Sequence, residues 1–227
     1  MTASSVRFSI RVKSVVRFAC AALMALPFLP SIAFAQVTAT APVSEVVQYT
    51  NRWDIYGGAQ YSHFNPSPDR NVEALNLLGW TGGATFYLRP IWGIEANERG
   101  IYGTINVPQN PFGVTQSKMS EYLTLFGPTF RLLRRQNYAA GMHVLIGAAN
   151  GTFDKGFPPG TQPSQLNIYN NKLAFGSVIG AWGDYNLTSR LSVRVVADYQ
   201  PTRYGFSMQN EFAGSVGIVY KIGSLHK

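Results

Sequence analysis

The stretch from Glu211 to Ile222, which reads EFAGSVGIVYKI, decides the fold of this chain. Alternate positions, beginning with Phe212 and ending with Ile222, hold apolar residues or glycine. The positions between them are mixed and carry a charge at each end, on Glu211 and Lys221. Because successive side chains of a β-strand point to opposite faces, the stretch predicts a strand with one apolar face and one mixed face.

Seven further segments are predicted as strands, and at least four of them repeat this alternation. The segment from Leu78 to Arg89, for example, sets apolar residues and glycine against threonine, tyrosine and arginine. The fourth predicted strand, roughly Glu121 to Leu132, has apolar residues on both parities and contains Pro128, so its faces stay unassigned. The faces of the sixth, roughly Lys172 to Tyr185, also stay unassigned.

The connections between the eight predicted strands alternate long and short. An antiparallel up-and-down barrel with an even number of strands puts every long connection on one side and both termini with the turns. We therefore predict an all-β, eight-stranded antiparallel up-and-down transmembrane barrel whose apolar parity faces lipid, with short periplasmic turns. Four long extracellular loops are expected at Asn65 to Leu77, Asn106 to Ser117, Asp154 to Asn171 and Pro201 to Gln209. Aromatic residues near the strand ends are expected to form interfacial girdles: Trp53, Trp92, Tyr122, Tyr138, Tyr185, Tyr199 and Tyr220.

Residues 1–35 are predicted to be an export signal peptide. A basic start without acidic residues precedes an apolar run from Phe18 to Phe34, and the run closes in the small-x-small pattern Ala33-Phe34-Ala35. An uncleaved membrane anchor is the alternative, which Pro27 and Pro30 disfavour. We expect cleavage after Ala35, a flexible periplasmic linker over residues 36–51, the barrel over residues 52–223 and a short tail over residues 224–227.

The composition of the mature chain argues against several classes of function. Cys20, the single cysteine, leaves with the signal peptide, so neither a disulfide nor thiol chemistry is expected. The mature chain keeps 15 Lys and Arg against 11 acidic residues, and a net charge of +4 is too mild and too scattered to indicate nucleic-acid binding. No phosphate-binding loop, zinc spacing or calcium loop is present, so no cofactor and no metal are expected.

The last strand also carries a more specific pattern. Ser215 to Ile222 follows the order polar, x, Gly, x, x, hydrophobic, x, hydrophobic. With the eight-strand pattern, this resembles the small outer-membrane β-barrel superfamily, the OmpA/OmpX-like eight-stranded barrel proteins of Gram-negative bacteria, over Trp53 to Ile222. The family's terminal aromatic residue is absent here. The resemblance implies export to the bacterial outer membrane, contact with its lipids and lipopolysaccharide, recognition of Ser215 to Ile222 by the barrel-assembly machinery, and a monomer.

If the apolar parity faces lipid, the other parity lines the lumen. Eight strands enclose only enough room for side chains to fill the interior, and charges held there must pair. We expect a polar network with six members: Asp54, Glu95, Arg99, His143, Arg194 and Asp198. Such a network could form a structural plug, which we favour, or an ion gate. Glu98 falls on the lipid parity, which predicts a local bulge or a position near the headgroups.

Three hypotheses for function follow. The first is a non-enzymatic outer-membrane barrel with a structural, adhesive or surface-interaction role through its loops, whose partner the sequence does not name. The second is a narrow small-solute or ion channel, and the third a soluble periplasmic ligand-binding barrel of lipocalin type. Catalysis is not expected: no histidine matches the His-x-Ser pair of barrel lipid deacylases, and a triad of Ser62, His63 and Asp69 is disfavoured because adjacent strand residues face opposite ways.

Overall fold

The structure, a computed structural model, describes residues 46–67, 73–205 and 208–225. Eight antiparallel strands pair in chain order, and the first also pairs with the last, which closes the barrel. The predicted eight-stranded up-and-down barrel is thereby confirmed. The strands are β1 Trp53–Phe64, β2 Leu75–Tyr87, β3 Trp92–Asn106, β4 Gln116–Arg134, β5 Tyr138–Lys155, β6 Lys172–Asn186, β7 Leu191–Tyr199 and β8 Phe212–Ile222, with one short 3-10 helix at Pro163–Leu166.

Short turns and long loops occupy opposite ends of the barrel, as the sequence predicts. Residues 88–91, 135–137 and 187–190 connect strands on the turn side; residues 65–74, 107–115, 156–171 and 200–211 connect them on the loop side. No helix among the described residues has the length and hydropathy of a membrane span. The predicted signal peptide lies outside the described residues, and the proposed segment boundaries stay predictions.

The apolar parity of the strands faces outward. Leu78, Ile146 and Val195 are 67%, 58% and 58% exposed. The charged residues Glu95, Arg99 and Arg194, on the other parity of their strands, are no more than 6% exposed and face a packed interior. A lipocalin-type barrel requires the reverse orientation, so that alternative is wrong. An apolar outer surface of this extent is typical of contact with lipid. The predicted girdle residues are exposed, except for half-buried Trp92.

The faces of β4 and β6 can now be assigned. In β4, Leu123, Leu125 and Arg131 face inward, while Phe126 and Pro128 face outward. The β4–β5 ladder passes from the pair Phe126↔Ile146 directly to Thr129↔His143, so the ladder skips the proline, which has no N–H to donate. In β6, Val178, Trp182 and Asp184 face inward.

Glu98 lies in a regular part of β3. Its pairing with Gly82 on β2 and Thr124 on β4 belongs to a continuous register, so the predicted bulge is absent at this position. The hydroxyl of Thr124 donates a hydrogen bond of 2.9 Å to the Glu98 carboxylate. A cross-strand donor on the same outer face therefore compensates part of the cost of placing this acid there.

Strand polarity inverts towards the loop side. In the turn-side half of β5, apolar Met142, Val144 and Ile146 face outward and His143 faces inward. Beyond it, polar Asn150 and Thr152 face outward, and Phe153 is fully buried inside. A strand that contacts lipid in one half and water in the other shows this change. Because about 9–11 residues suffice to cross a bilayer, the 18 residues of β5 extend beyond the membrane.

Residues 46–52 contact the turn-side mouth of the barrel. The Tyr49 hydroxyl donates to the Arg135 carbonyl (2.7 Å) and accepts from Asn186 Nδ2 (2.6 Å), and the Tyr49 ring lies 5.0 Å from the Arg131 guanidinium. The Val47 N–H donates to Gln136 Oε1 at 3.2 Å. This part of the predicted linker therefore makes specific contacts with the barrel and is not a free tether.

Candidate functional site

The turn-side half of the lumen contains a charge cluster around one carboxylate, which we call the inner cluster. Asp54 Oδ2 accepts hydrogen bonds from Arg131 Nη2 (3.1 Å), Arg194 Nη2 (3.2 Å) and the Tyr87 hydroxyl (3.2 Å). Arg194 also forms a bidentate pair with Asp184, at 2.7 and 2.9 Å. Two arginines and two carboxylates balance in charge, and each Asp54 contact is charge-assisted or made to a charged group, which is the condition for burying charge at tolerable cost.

Aromatic rings surround the inner cluster. The Arg131 guanidinium lies 3.8 Å from the Tyr87 ring centroid, and that of Arg194 lies 4.4 Å from the Trp182 ring centroid. Rings over the guanidinium planes satisfy the faces that form no hydrogen bonds. They also fill the cross-section of the barrel at this level.

A second chain of polar contacts crosses the middle of the lumen, and we call it the middle cluster. Arg99 Nη1 pairs with Asp198 Oδ2 at 2.7 Å, and His143 Nε2 lies 2.9 Å from Asp198 Oδ1. His143 Nδ1 lies 3.2 Å from Glu95 Oε2, which completes the chain. These residues come from β3, β5 and β7, so one connected network joins strands on different sides of the lumen.

All six residues expected in the lumen therefore lie there, divided between the two clusters. Asp54 and Arg194 belong to the inner cluster; Glu95, Arg99, His143 and Asp198 form the middle cluster. Arg131 and Asp184 are not among the residues expected in the lumen, because the sequence does not show which residues of β4 and β6 face inward. Arg131 shares its parity with Thr129, and that polar pair is the signal that could have identified it. A void of about 10 Å³ remains between the middle cluster and Trp182, room for about one water molecule.

The loop-side end of the lumen is apolar, which the sequence analysis did not anticipate. Phe153 packs against Phe64 (6.3 Å between ring centroids), Tyr169 (6.5 Å) and Tyr204 (5.1 Å). Inward-facing strand residues and residues from three loops join this cluster, which we call the outer cap. Its buried members include Leu77, Ile101, Ile105, Leu123, Leu145, Val114, Leu166, Ile168, Tyr169 and Tyr204.

Two fully buried carboxyl groups, Glu121 and Glu211, lie at the junction of the outer cap and the polar lumen. The Tyr204 hydroxyl donates to Glu121 Oε1 at 2.8 Å, and Ser62 donates to Glu211 Oε1. Burial raises the pKa of Glu211 to about 7, against the opposing effect of the hydrogen bond from Ser62. Burial, followed by the neighbouring Glu121, likewise raises the pKa of Tyr204.

The outer surface of the cap contains a groove between the second and third loops. Its volume is about 310 Å³, and its lining comes from residues 107–111 and 165–167. Asn110 organises the second loop: its amide donates to the carbonyls of Pro108 (2.8 Å) and Val114 (2.6 Å), and its Oδ1 accepts from the Phe112 and Val114 N–H groups. The groove walls are therefore held by hydrogen bonds within the loop.

Ser62 and His63, considered above as part of a triad, point apart. Ser62 is buried and bonded to Glu211, whereas His63 is exposed, with Nδ1 3.0 Å from Asn76 Oδ1. Asp69 lies outside the described residues. Within the described ranges, no three His, Cys, Asp or Glu side chains are arranged to hold a metal ion.

No protein-family model and no curated protein matches the chain. Solved structures do match it. Neisserial surface protein A aligns with a TM-score of 0.51 and 11% identity over 76% of this chain and 99% of that one. Ail of Yersinia pestis, in complex with the heparin analogue sucrose octasulfate, aligns with a TM-score of 0.49 and 13% identity over 76% of this chain and 99% of that one. The outer membrane protein OprG of Pseudomonas aeruginosa aligns with a TM-score of 0.47 and 11% identity over 77% of this chain and 98% of that one. At 11% identity the match to Neisserial surface protein A shows the fold alone, and in fold the chain resembles small outer-membrane barrels, as expected.

Proposed function

We propose that this chain is a non-conducting, non-enzymatic outer-membrane protein whose outer cap presents a folded surface for contacts outside the cell. The observation that carries the proposal is the outer cap itself. Loop residues Val114, Leu166 and Tyr204 are buried in one apolar cluster with strand residues, so the loops and the barrel end share a core. Loops held in this way lose little conformational entropy when they bind, which favours recognition.

The filled lumen supports the absence of conduction. An ion that crossed the barrel would have to pass two charge clusters whose members are paired with one another, and then the apolar outer cap. The water-sized void in the middle cluster does not amount to a continuous wet path. The network thus suits a structural plug, because its buried charges are held in ion pairs with one another and fill the lumen.

The expected partners fit this proposal. The outward apolar band suits membrane lipids and lipopolysaccharide, and the sequence pattern from Ser215 to Ile222 on β8 suits recognition by the barrel-assembly machinery. We further propose a monomer, since all eight strands pair within one chain and leave no sheet edge for a second copy.

Conductance in planar bilayers tests the closed lumen. The mature protein, refolded and checked by its heat-dependent gel mobility, is expected to insert without producing current steps. Stable ohmic steps from wild-type protein would favour the channel hypothesis and contradict the plug.

Adherence tests the surface role. Cells that display the protein are expected to adhere to immobilised glycans or matrix proteins better than vector controls. Asn110→Ala, which removes the organising amide of the second loop, should reduce this adherence more than Asn150→Ala. Asn150 is exposed on β5, and none of the contacts seen in the described ranges involves its side chain. Equal adherence with and without the protein would contradict the proposal.

A further inference from the structure

A cavity of about 660 Å³ opens on the turn side, between the N-terminal segment and the end of β8. Its lining combines polar residues, two cations and two residues of the outward apolar face: Gln48, Ser224, Arg190, Lys221, Tyr220 and Ile222. Among the residues that the structure describes, no carboxylate lines it. A cavity with this lining favours a ligand that is negatively charged at one end.

Arg190 is the cation available to such a ligand. It is exposed in the β6–β7 turn, and its carbonyl accepts a hydrogen bond from the Lys221 N–H at 2.8 Å, which fixes the turn against β8. Across the described parts of the chain, its guanidinium forms no ion pair. Lys221 Nζ instead donates to Asn186 Oδ1 at 2.6 Å, so it adds positive potential without reaching the ligand.

The same cavity is continuous with the outward apolar surface. Tyr220 and Ile222 lie on the outward parity of β8 and are 46% and 45% exposed. A ligand held by Arg190 would therefore place its neighbouring atoms against this surface. A molecule with an anionic end and an apolar body meets both requirements, and a phospholipid is such a molecule.

The other turns indicate the depth at which this cavity lies. Two of the three turns combine an exposed arginine with exposed leucine or isoleucine, as in Arg89 beside Leu88 and Ile91. In the third, exposed Arg135 follows the exposed leucines at the end of β4, Leu132 and Leu133. Apolar side chains in the acyl region with cationic ends at the phosphates are typical of the membrane interface. Exposed acidic residues are absent from the described turns, so the positive potential there is uncompensated. A soluble acidic partner would leave the exposed leucines without a role.

We propose that the cavity at Arg190 binds the phosphate headgroup of an anionic phospholipid from the leaflet around the turns. The planar guanidinium can donate two parallel N–H bonds to phosphate oxygens. Gln48 and Ser224 supply polar contacts for the rest of the headgroup, and the acyl chains lie along Tyr220 and Ile222. The inference does not depend on whether the lumen conducts.

Native mass spectrometry tests the site with the mature protein, residues 36–227, in detergent that contains equal amounts of phosphatidylglycerol and phosphatidylcholine. We expect wild-type protein to retain phosphatidylglycerol preferentially. Arg190→Gln should lower that affinity by on the order of tenfold and reduce the preference for phosphatidylglycerol over phosphatidylcholine. The matched control is Lys172→Gln, which removes an exposed cation on the loop side and should change nothing.

Equal retention of the two lipids, or an equal loss in both variants, would overturn the proposal. Heat-dependent gel mobility establishes that each variant is folded. Wild-type protein gives an independent result through phosphatidylglycerol with a photoreactive acyl chain. Its crosslinks should concentrate on β8 near Tyr220 and Ile222, and crosslinks spread evenly around the barrel would refute the site.

Discussion

Asp54→Asn is the substitution that most directly tests how the charged lumen is held together. The Asp54 carboxylate is fully buried and accepts hydrogen bonds from Arg131, Arg194, Tyr87 and Asn51. An asparagine has nearly the same shape but carries no charge, and it must present N–H groups where the carboxylate had acceptors. The substitution therefore removes charge while conserving volume.

The expected magnitude follows from what each arginine retains. Arg194 keeps its two bonds to Asp184, at 2.7 and 2.9 Å. Arg131 keeps one neutral acceptor, Asn51 Oδ1 at 3.4 Å, and its Nε already has no hydrogen-bond partner. Because removing one partner of a buried ion pair leaves an uncompensated charge, we expect a loss of about 3–5 kcal/mol in the free energy of unfolding.

Urea unfolding in lipid vesicles, followed by the fluorescence of the tryptophans, measures this loss. Lys172→Gln is the control, since Lys172 is exposed at the loop-side end of β6, and it should change stability by no more than about 0.5 kcal/mol. The double variant Asp54→Asn with Arg131→Met removes the orphaned charge and should recover much of the loss. A loss under about 1 kcal/mol for Asp54→Asn alone would refute the reasoning.

Three further predictions concern the cap and the packing of the strands. Phe153→Ala, which empties the centre of the outer cap, should cost about 3–5 kcal/mol, and proteinase K should then cleave the loops before the barrel. The pKa of Glu211 is about 7 in the folded chain against 4.5 for an ordinary glutamate, so the folded state binds the proton more tightly than the unfolded state. The contribution of protonated Glu211 to the stability of the fold is therefore fully present below pH ~4.5 and is lost as pH rises through ~7. Cleavage of the loops in wild-type protein should increase over that pH range, and the increase should be smaller in Glu211→Gln. Cleavage of wild-type protein that does not depend on pH would contradict this prediction. Gly141→Ala would place a Cβ 2.1 Å from the Phe130 carbonyl oxygen and should cost about 1–3 kcal/mol in urea unfolding, whereas Gly183→Ala meets nothing within 4 Å and serves as its control.

Much of the fold could be predicted because alternation is a local property of the sequence. In β8 every second residue must tolerate lipid, so the face is visible in the residues themselves. The same reasoning failed on β4, where Leu123 and Leu125 face inward into the outer cap and so look like lipid-facing residues. The alternation of apolar and polar residues shows which side chains face outward only where the whole strand lies in one environment. Strands β4 and β5 extend from lipid into water, so the alternation changes along them.

The lumen residues were predictable for a related reason. A charged residue on the mixed parity of a lipid-facing strand must point inward, which identifies Glu95, Arg99 and Asp198 without any knowledge of contacts. Which side chains pair with one another depends on the relative register of strands that are far apart in sequence. No local sequence pattern determines that register. The pairing of Asp54 with both Arg131 and Arg194 across the barrel, for example, required the structure.

Cysteine labelling on intact cells tests the membrane barrel most directly. The only native cysteine, Cys20, lies in the predicted signal peptide, so a single introduced cysteine reports its own position. Gln109→Cys on the loop side should react with a membrane-impermeant maleimide on intact cells, whereas Gln136→Cys on the turn side should react only after the envelope is permeabilised. Labelling of Gln136→Cys alone on intact cells, or recovery of both variants in the soluble periplasm, would contradict an outer-membrane barrel with its loops outside the cell.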